Sequence, residues 1–203
     1  MNMVMYRNLF SRAIRFFILC TVVCGILYTG LITGAAAVLF PHQSRGSLIE
    51  VGGKKYGSEL VGQPYSDPAH LWGRVMDLDV STYKDSQGRP LLYAGPSNAS
   101  PASAGYGRLV AQRVAQLQAA DPHMGDTPVP VDLVTGSGSG LDPAISPAAA
   151  AYQVKRIART RGMSPDQVQA VIDRCTTGRF LGIFGEPTVN VLKVNLMLDG
   201  ILS

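Results

Sequence analysis

The residues with the most chemical promise lie in one stretch, Gly136-Ser137-Gly138-Ser139-Gly140, followed by Leu141-Asp142-Pro143. Three glycines permit positive φ and leave backbone N–H groups approachable. Successive N–H groups ahead of a helix N-terminus form a generic cradle for a phosphate or carboxylate. The same composition also suits a flexible turn between two elements, so the loop alone leaves both readings open. It is not a nucleophile elbow, because neither Ser137 nor Ser139 has the G-x-S-x-G spacing. Nor is Gly52-Gly53-Lys54-Lys55 a Walker A loop, lacking the preceding glycine spacing and the Ser/Thr.

Other reactive types are dispersed. Asp67 and His70 could be recruited into a Ser-His-Asp site, but a solvated loop histidine fits the same spacing. His42, His70 and His123 are scattered, and none sits at ligand spacing from a cysteine or another histidine, so no metal site is expected. With few and scattered carboxylates, no catalytic acid–base pair is expected either. Asp132 and Asp142 flank the Gly/Ser loop. Each has a structural alternative: Asp132 satisfying nearby backbone, and Asp142 forming an Asx turn before Pro143.

The elements that must position these groups are legible in part. Val131, Leu133 and Val134, behind Pro130, predict a short strand before the loop. Ser146 predicts a helix cap, with Pro147 at the first position, helix over 148–161 and Gly162 at its end. A second helix runs from about Ser103 to Ala120, with Tyr106, Leu109, Val110, Val114 and Leu117 on one face. Ser164-Pro165-Asp166-Gln167 is a capping box, and Val168, Val171, Ile172 and Cys175 form the apolar face behind it. Leu48–Val51 reads as a strand with a Gly52-Gly53 turn, and 77–93 as a surface hairpin or loop. Gly178–Gly185 reads as a loop carrying Phe180, Leu181, Ile183 and Phe184. Pro187–Leu198 reads first as a strand and alternatively as a helix, because its alternation slips phase at Leu192. Trp72, the single tryptophan, reads as a core or interface anchor.

The N-terminus has a different character. Arg7, Arg12 and Arg15 are the only charged side chains in the first 44 residues, and 25 uncharged residues run from Phe16 to Phe40. At about 1.5 Å per residue that run spans roughly 37 Å as a helix, enough for a hydrocarbon core of about 30 Å. Ala35-Ala36-Ala37 resembles a cleavage site, but a signal-peptide core is only about 7–15 residues long, so an uncleaved anchor is expected. By the positive-inside rule, the arginines keep the N-terminus in the cytoplasm and the rest is exported. Gly30 and Gly34 form a small-xxx-small pair that would let another helix approach closely. Beyond residue 41 lie all 14 acidic residues and 15 of the 18 basic ones, a balance of +1. The overall +4 therefore reflects the basic tail, and no nucleic-acid partner is expected. The expected organisation is a basic cytoplasmic tail over 1–15, a transmembrane helix over 16–40, and one extracytoplasmic α/β (α+β) domain over 41–203. One helix cannot enclose a transport pathway, which excludes a pore or pump acting alone. Cys20 and Cys24 lie within the span, Cys175 is expected to be buried, and no disulfide framework is present.

The single N-terminal span, Gly57-Ser58-x-Leu60-x-Gly62-Gln63, Gly95-Pro96-Ser97-Asn98, the 129–162 block and the Leu181–Asp199 block together closely resemble the C subunit of the Kdp potassium-transporting ATPase. Residues 74–94 depart from that family's pattern. The resemblance implies a non-catalytic accessory subunit of a high-affinity potassium-transporting P-type ATPase in the cell inner (plasma) membrane. It implies a channel-like potassium-binding subunit and a P-type ATPase subunit as partners, and a role in assembly and ATP-driven uptake. It also raises ATP as a ligand, on the segment that here is Ser137-Gly138-Ser139-Gly140, with Asp142 beside it. The alternative from another class is a membrane-tethered ligand-binding module or enzyme acting alone.

Overall fold

The computed structural model describes residues 3–203; Met1 and Asn2 of the expected basic tail lie outside them. The chain divides into an N-terminal unit ending at Leu48 and a second unit, Ile49–Ser203.

The first unit is dominated by one unbroken helical run: α1 (Met3–Cys20), a π-helical segment (Thr21–Tyr28) and α2 (Thr29–Leu39). Within it the Thr29 hydroxyl donates to the Cys24 carbonyl five residues back, at 2.9 Å, the offset a π-helix presents. No proline interrupts the run before Pro41, which opens a short helix, α3 (Pro41–Ser44). The stretch Leu9–Leu39 is long and apolar enough to cross a bilayer, by length and composition. The expected 16–40 span lies almost wholly within this helical run.

The second unit mixes helix and strand, as expected. β1 (Leu48–Val51) and β2 (Lys54–Ser58) form a two-stranded sheet turned by Gly52 and Gly53, both at positive φ. β3 (Asp77–Lys84) and β4 (Pro90–Gly95) form an antiparallel hairpin with an irregularity between Asp79 and Tyr83. α4 (Ala104–Ala120) starts where Ser103 accepts from the Tyr106 N–H and buries Leu117.

At the centre lies α5 (Pro147–Arg161), capped by Ser146 and ended by Gly162 in the left-handed region. Its residues Ala149, Ala150, Ile157 and Ala158 pack into the core with Leu71, Leu133, Val134 and Val189. α6 (Pro165–Arg174) carries the complete capping box and contributes Val168, Ile172 and the buried Cys175. A small antiparallel sheet has β7 (Thr188–Asn190) between β5 (Ala144–Ile145) and β6 (Thr176–Thr177). α7 (Val191–Leu198) follows β7 directly.

Two expectations fail. Val131–Leu133 is a 3₁₀ turn rather than a strand. The N–H groups of Val134 and Thr135 turn back to the Val131 carbonyl, both at 3.1 Å. Leu133 and Val134 are buried while Val131 is exposed, so the apolar run reported burial and not extended backbone. The strand expected over 187–198 ends at Asn190, whose side chain accepts from the Lys193 N–H at 3.0 Å and starts α7. The phase slip at Leu192 marks this strand-to-helix switch, and the helical alternative holds for 191–198. Strands β5 and β6, two residues each, had no sequence signature.

Residues 68–72 belong to no regular element, yet all five of their carbonyls accept from side chains. Arg156 donates to Pro68 (2.5 Å) and His70 (3.0 Å), and Arg161 to Ala69 (2.5 Å). Asn195 donates to the Leu71 carbonyl at 2.9 Å and accepts from the Leu71 N–H at 2.7 Å. Gln153 does the same for Trp72, at 3.0 and 2.8 Å. Leu71, Gln153 and Asn195 are buried.

Replacing Asn195 with Leu preserves shape but strands both polar groups of Leu71. Unsatisfied buried groups cost about 1–3 kcal/mol each. Asn195→Leu should lower the thermal unfolding midpoint of the detergent-solubilised chain well below that of an exposed substitution such as Lys155→Leu. Circular dichroism melts of the two variants check this.

Candidate functional site

The Gly/Ser loop packs between two other segments. Gly140 sits at φ +72°, and a Cβ added there would lie 2.3 Å from the Gly95 carbonyl carbon. On the other side, the Gly62 N–H donates to the Leu141 carbonyl at 2.8 Å, and a Cβ on Gly62 would come within 2.7 Å of the Asp142 carbonyl oxygen. The loop is therefore clasped between the 57–63 segment and the end of β4. Gly136, Ser137 and Gly138 line a shallow open pocket with Pro96, Ser97 and Asn98. The structure thus brings the Gly-Pro-Ser-Asn turn and the Gly/Ser loop, some 40 residues apart in sequence, to one place.

Inside the loop the polar groups serve one another. The Ser137 hydroxyl accepts from the Gly140 N–H at 2.9 Å, and the Ser139 hydroxyl from the Leu141 N–H at 3.2 Å. Asp142 accepts from the Ala144 N–H at 3.0 Å, the Asx turn that precedes β5. The approach to the α5 N-terminus is occupied as well. Asp132, buried on its 3₁₀ turn, accepts from the Ser146 N–H at 2.7 Å, and Ser146 accepts from the Ala149 N–H at 3.1 Å. A carboxylate from the chain itself thus stands where a helix terminus favours negative charge.

Two arginines that the sequence did not mark out hold the loop's carbonyl side. Arg74 donates to Gly136 at 3.3 Å and lies 3.7 Å from Asp142. Arg113, on α4, donates to the Val134 carbonyl at 3.0 Å, and burial pushes its guanidinium below its ordinary value. Both line a cleft with Gln63, Trp72 and Gln116. Long-range backbone contacts of this kind carry no sequence periodicity that would have revealed them. Gly30 and Gly34, in α2, meet nothing within 4 Å, so the helix backbone is open to approach there.

His70 is not the solvated loop residue expected. Its Nδ1 lies 2.6 Å from Asp67 and its Nε2 3.0 Å from Asp199, which also accepts from Arg161 at 2.6 Å. Both ring nitrogens face carboxylates, and only the doubly protonated ring can donate to both. Burial pushes the Asp67 and Asp199 carboxyls up, but the opposing bonds prevail and both titrate below the ordinary range. For Asp67 the bond is from His70; for Asp199 the bonds are from Arg161 and His70. Beneath them Arg156 stacks on Trp72, 4.7 Å from the ring centroid, and burial pushes its guanidinium down to about 10.

A sequence profile of the family described as "K+-transporting ATPase, c chain" matches residues 10–200. The potassium-transporting ATPase KdpC subunit of Clostridium perfringens is 59% identical over 182 residues, covering 90% of this chain and 92% of that one. That of Clostridium botulinum strain Eklund 17B is 51% identical over 198 residues, 98% of each chain. The KdpC subunit of Methylococcus capsulatus is 46% identical over 195 residues, covering 96% and 98%.

The geometry separates the loop's glycines. Gly140→Ala forces a clash with Gly95 at an unfavourable φ, whereas Gly138→Ala meets nothing within 4 Å. Gly140→Ala should therefore lower the melting temperature markedly and Gly138→Ala hardly at all, as paired melts would show. The acid response has a definite sign. A carboxyl whose folded pKa is depressed contributes stability above its unfolded pKa and loses it as pH falls through the folded one. Stability from Asp67 and Asp199 should thus be full near neutrality and decline below about pH 4. Asp199→Asn should lower the neutral-pH melting temperature and flatten its fall with acid, read from melts across pH 7 to 3.

Proposed function

The chain belongs to the KdpC family, the c chain of K+-transporting ATPases, and from this we propose that it is the non-catalytic accessory subunit that holds such a pump together and supports ATP-driven potassium uptake. The observation that carries this reading is the pairing of one apolar helix among the described residues, Leu9–Leu39, with a folded unit whose Gly/Ser loop is closed by its own hydrogen bonds. A chain with one span must act on potassium through others. The partners in this reading are a channel-like potassium-binding chain and a P-type ATPase chain of the same complex, in the cell membrane.

The helix packs against a membrane-embedded partner through the open face at Gly30 and Gly34. Arg7, Arg12 and Arg15 keep the N-terminus in the cytoplasm, so the Ile49–Ser203 unit lies outside it and steadies the assembly from there. The loop Ser137–Gly140 contributes shape: its hydroxyls and Asp142 bond to backbone, which supports a partner-facing scaffold over a nucleotide cradle.

Gentle detergent purification from potassium-limited cells tests the proposal. The chain should emerge with a P-type ATPase chain and a multi-span chain, and potassium-stimulated ATP hydrolysis should fall when it is omitted. Gly30→Leu should reduce its recovery. Isolation of the wild-type chain alone, with unchanged hydrolysis in its absence, would favour the tethered-module alternative and overturn the subunit reading.

A further inference from the structure

The connection between β6 and β7 ends in an unusual tip. Phe180, Leu181, Ile183 and Phe184 are 71, 74, 70 and 58% exposed. Between Arg179 and Glu186 the sequence is Phe-Leu-Gly-Ile-Phe-Gly, without a polar side chain. Aromatic side chains this size bury roughly 150–250 Å² each, so the tip presents an apolar patch of the size that usually marks an interaction site.

The tip is also closed upon itself. The Phe180 N–H donates to the Phe184 carbonyl at 2.8 Å, and the Phe184 N–H returns a bond to the Phe180 carbonyl at 2.9 Å. Ile183 donates to Phe180 at 3.2 Å and Gly182 to Arg179 at 3.1 Å. Leu181 is held at φ +53°, a conformation that L side chains rarely adopt, and Gly182 and Gly185 after it turn the chain at φ +77°. Arg179 donates to Glu186 at 2.7 Å across the base. Both flanks then join strands of the small sheet, whose central Val189 is fully buried. With its backbone N–H groups largely satisfied internally, the tip can leave water without stranding them.

We propose that this tip, Phe180 to Phe184, is a preformed docking knob that inserts into an apolar pocket on another protein subunit of the potassium-transporting ATPase. The inference rests on the subunit role proposed above and names the surface through which it acts. Two features select a protein pocket over the bilayer. A fixed, locally strained shape is rewarded by a complementary cavity, because the ordering entropy is spent before binding; a fluid bilayer rewards area and not shape. Loops that bind lipid surfaces gain from a basic collar, whereas here Arg179 is neutralised by Glu186.

A spin label tests the assignment. The chain carries Ile183→Cys, with Cys20→Ser, Cys24→Ser and Cys175→Ala, and the nitroxide is read in the purified assembly in lipid and in the chain alone. In the assembly the label should be immobilised and shielded from both oxygen in the lipid and a water-soluble nickel chelate; alone, it should be mobile and open to nickel. Oxygen collisions in the assembly would place the tip in the bilayer, and nickel collisions would place it in water; either overturns the proposal. A second variant joins Leu181→Asp to Ile183→Asp. It should reduce recovery with the other subunits about tenfold or more, as loss of an apolar hot spot does, without changing the isolated chain's melting temperature. Equal recovery of variant and wild type overturns the docking knob alone. Failure of the wild type to assemble overturns the subunit role, and the knob with it.

Discussion

Five consecutive carbonyl oxygens, Pro68 to Trp72, are held by the side chains of Arg156, Arg161, Asn195 and Gln153. Most buried backbone finds its partners in a helix or a ladder; this segment finds them in residues from α5 and just beyond β7. The arrangement explains why charged and amide groups stand in the core. Arg156 has no carboxylate at hydrogen-bond distance among the described residues, and its charge is met by two carbonyls, Gln153 and the face of Trp72. The segment in turn sets Leu71 in the core, Trp72 over Arg156, and His70 between Asp67 and Asp199. Helices α5 and α7 are thereby joined by a strap of irregular chain.

The Gly/Ser loop obeys the same economy of backbone groups. Its glycines permit close approach at two named points: Gly140 against Gly95, and Gly62 against Asp142. Its serines and Asp142 close local turns, and Asp132 stands at the start of α5. The features that make such a sequence look like an anion cradle also make it a compact clasp. What separates the two is that the loop's N–H groups at Gly140 and Leu141 are taken by its own serines, while Gly62 and Gly95, 40 to 80 positions away, close on its backbone. By contrast, the 179–186 tip satisfies its backbone just as fully while turning its apolar side chains outward, so tight closure and exposure coexist there.

The N-terminal helix, the helix caps and the apolar helix faces were legible in the amino-acid sequence, because each depends on neighbours within a few positions. Ser146 and Ser164 cap the helices they were expected to cap, the helix expected from about Ser103 is capped by that residue, and Gly162 ends α5 in the left-handed region. The absence of charge from Phe16 to Phe40 was enough to mark an apolar helix, and the motif blocks were enough to mark the family. Only the tertiary structure decided that Val131–Leu133 is a turn and that 187–198 divides at Asn190. It alone turned His70 from a solvated residue into a double carboxylate contact. A short apolar run signals burial, and burial alone does not choose between extended and turned backbone; that choice belongs to hydrogen-bond partners brought in from distant parts of the chain.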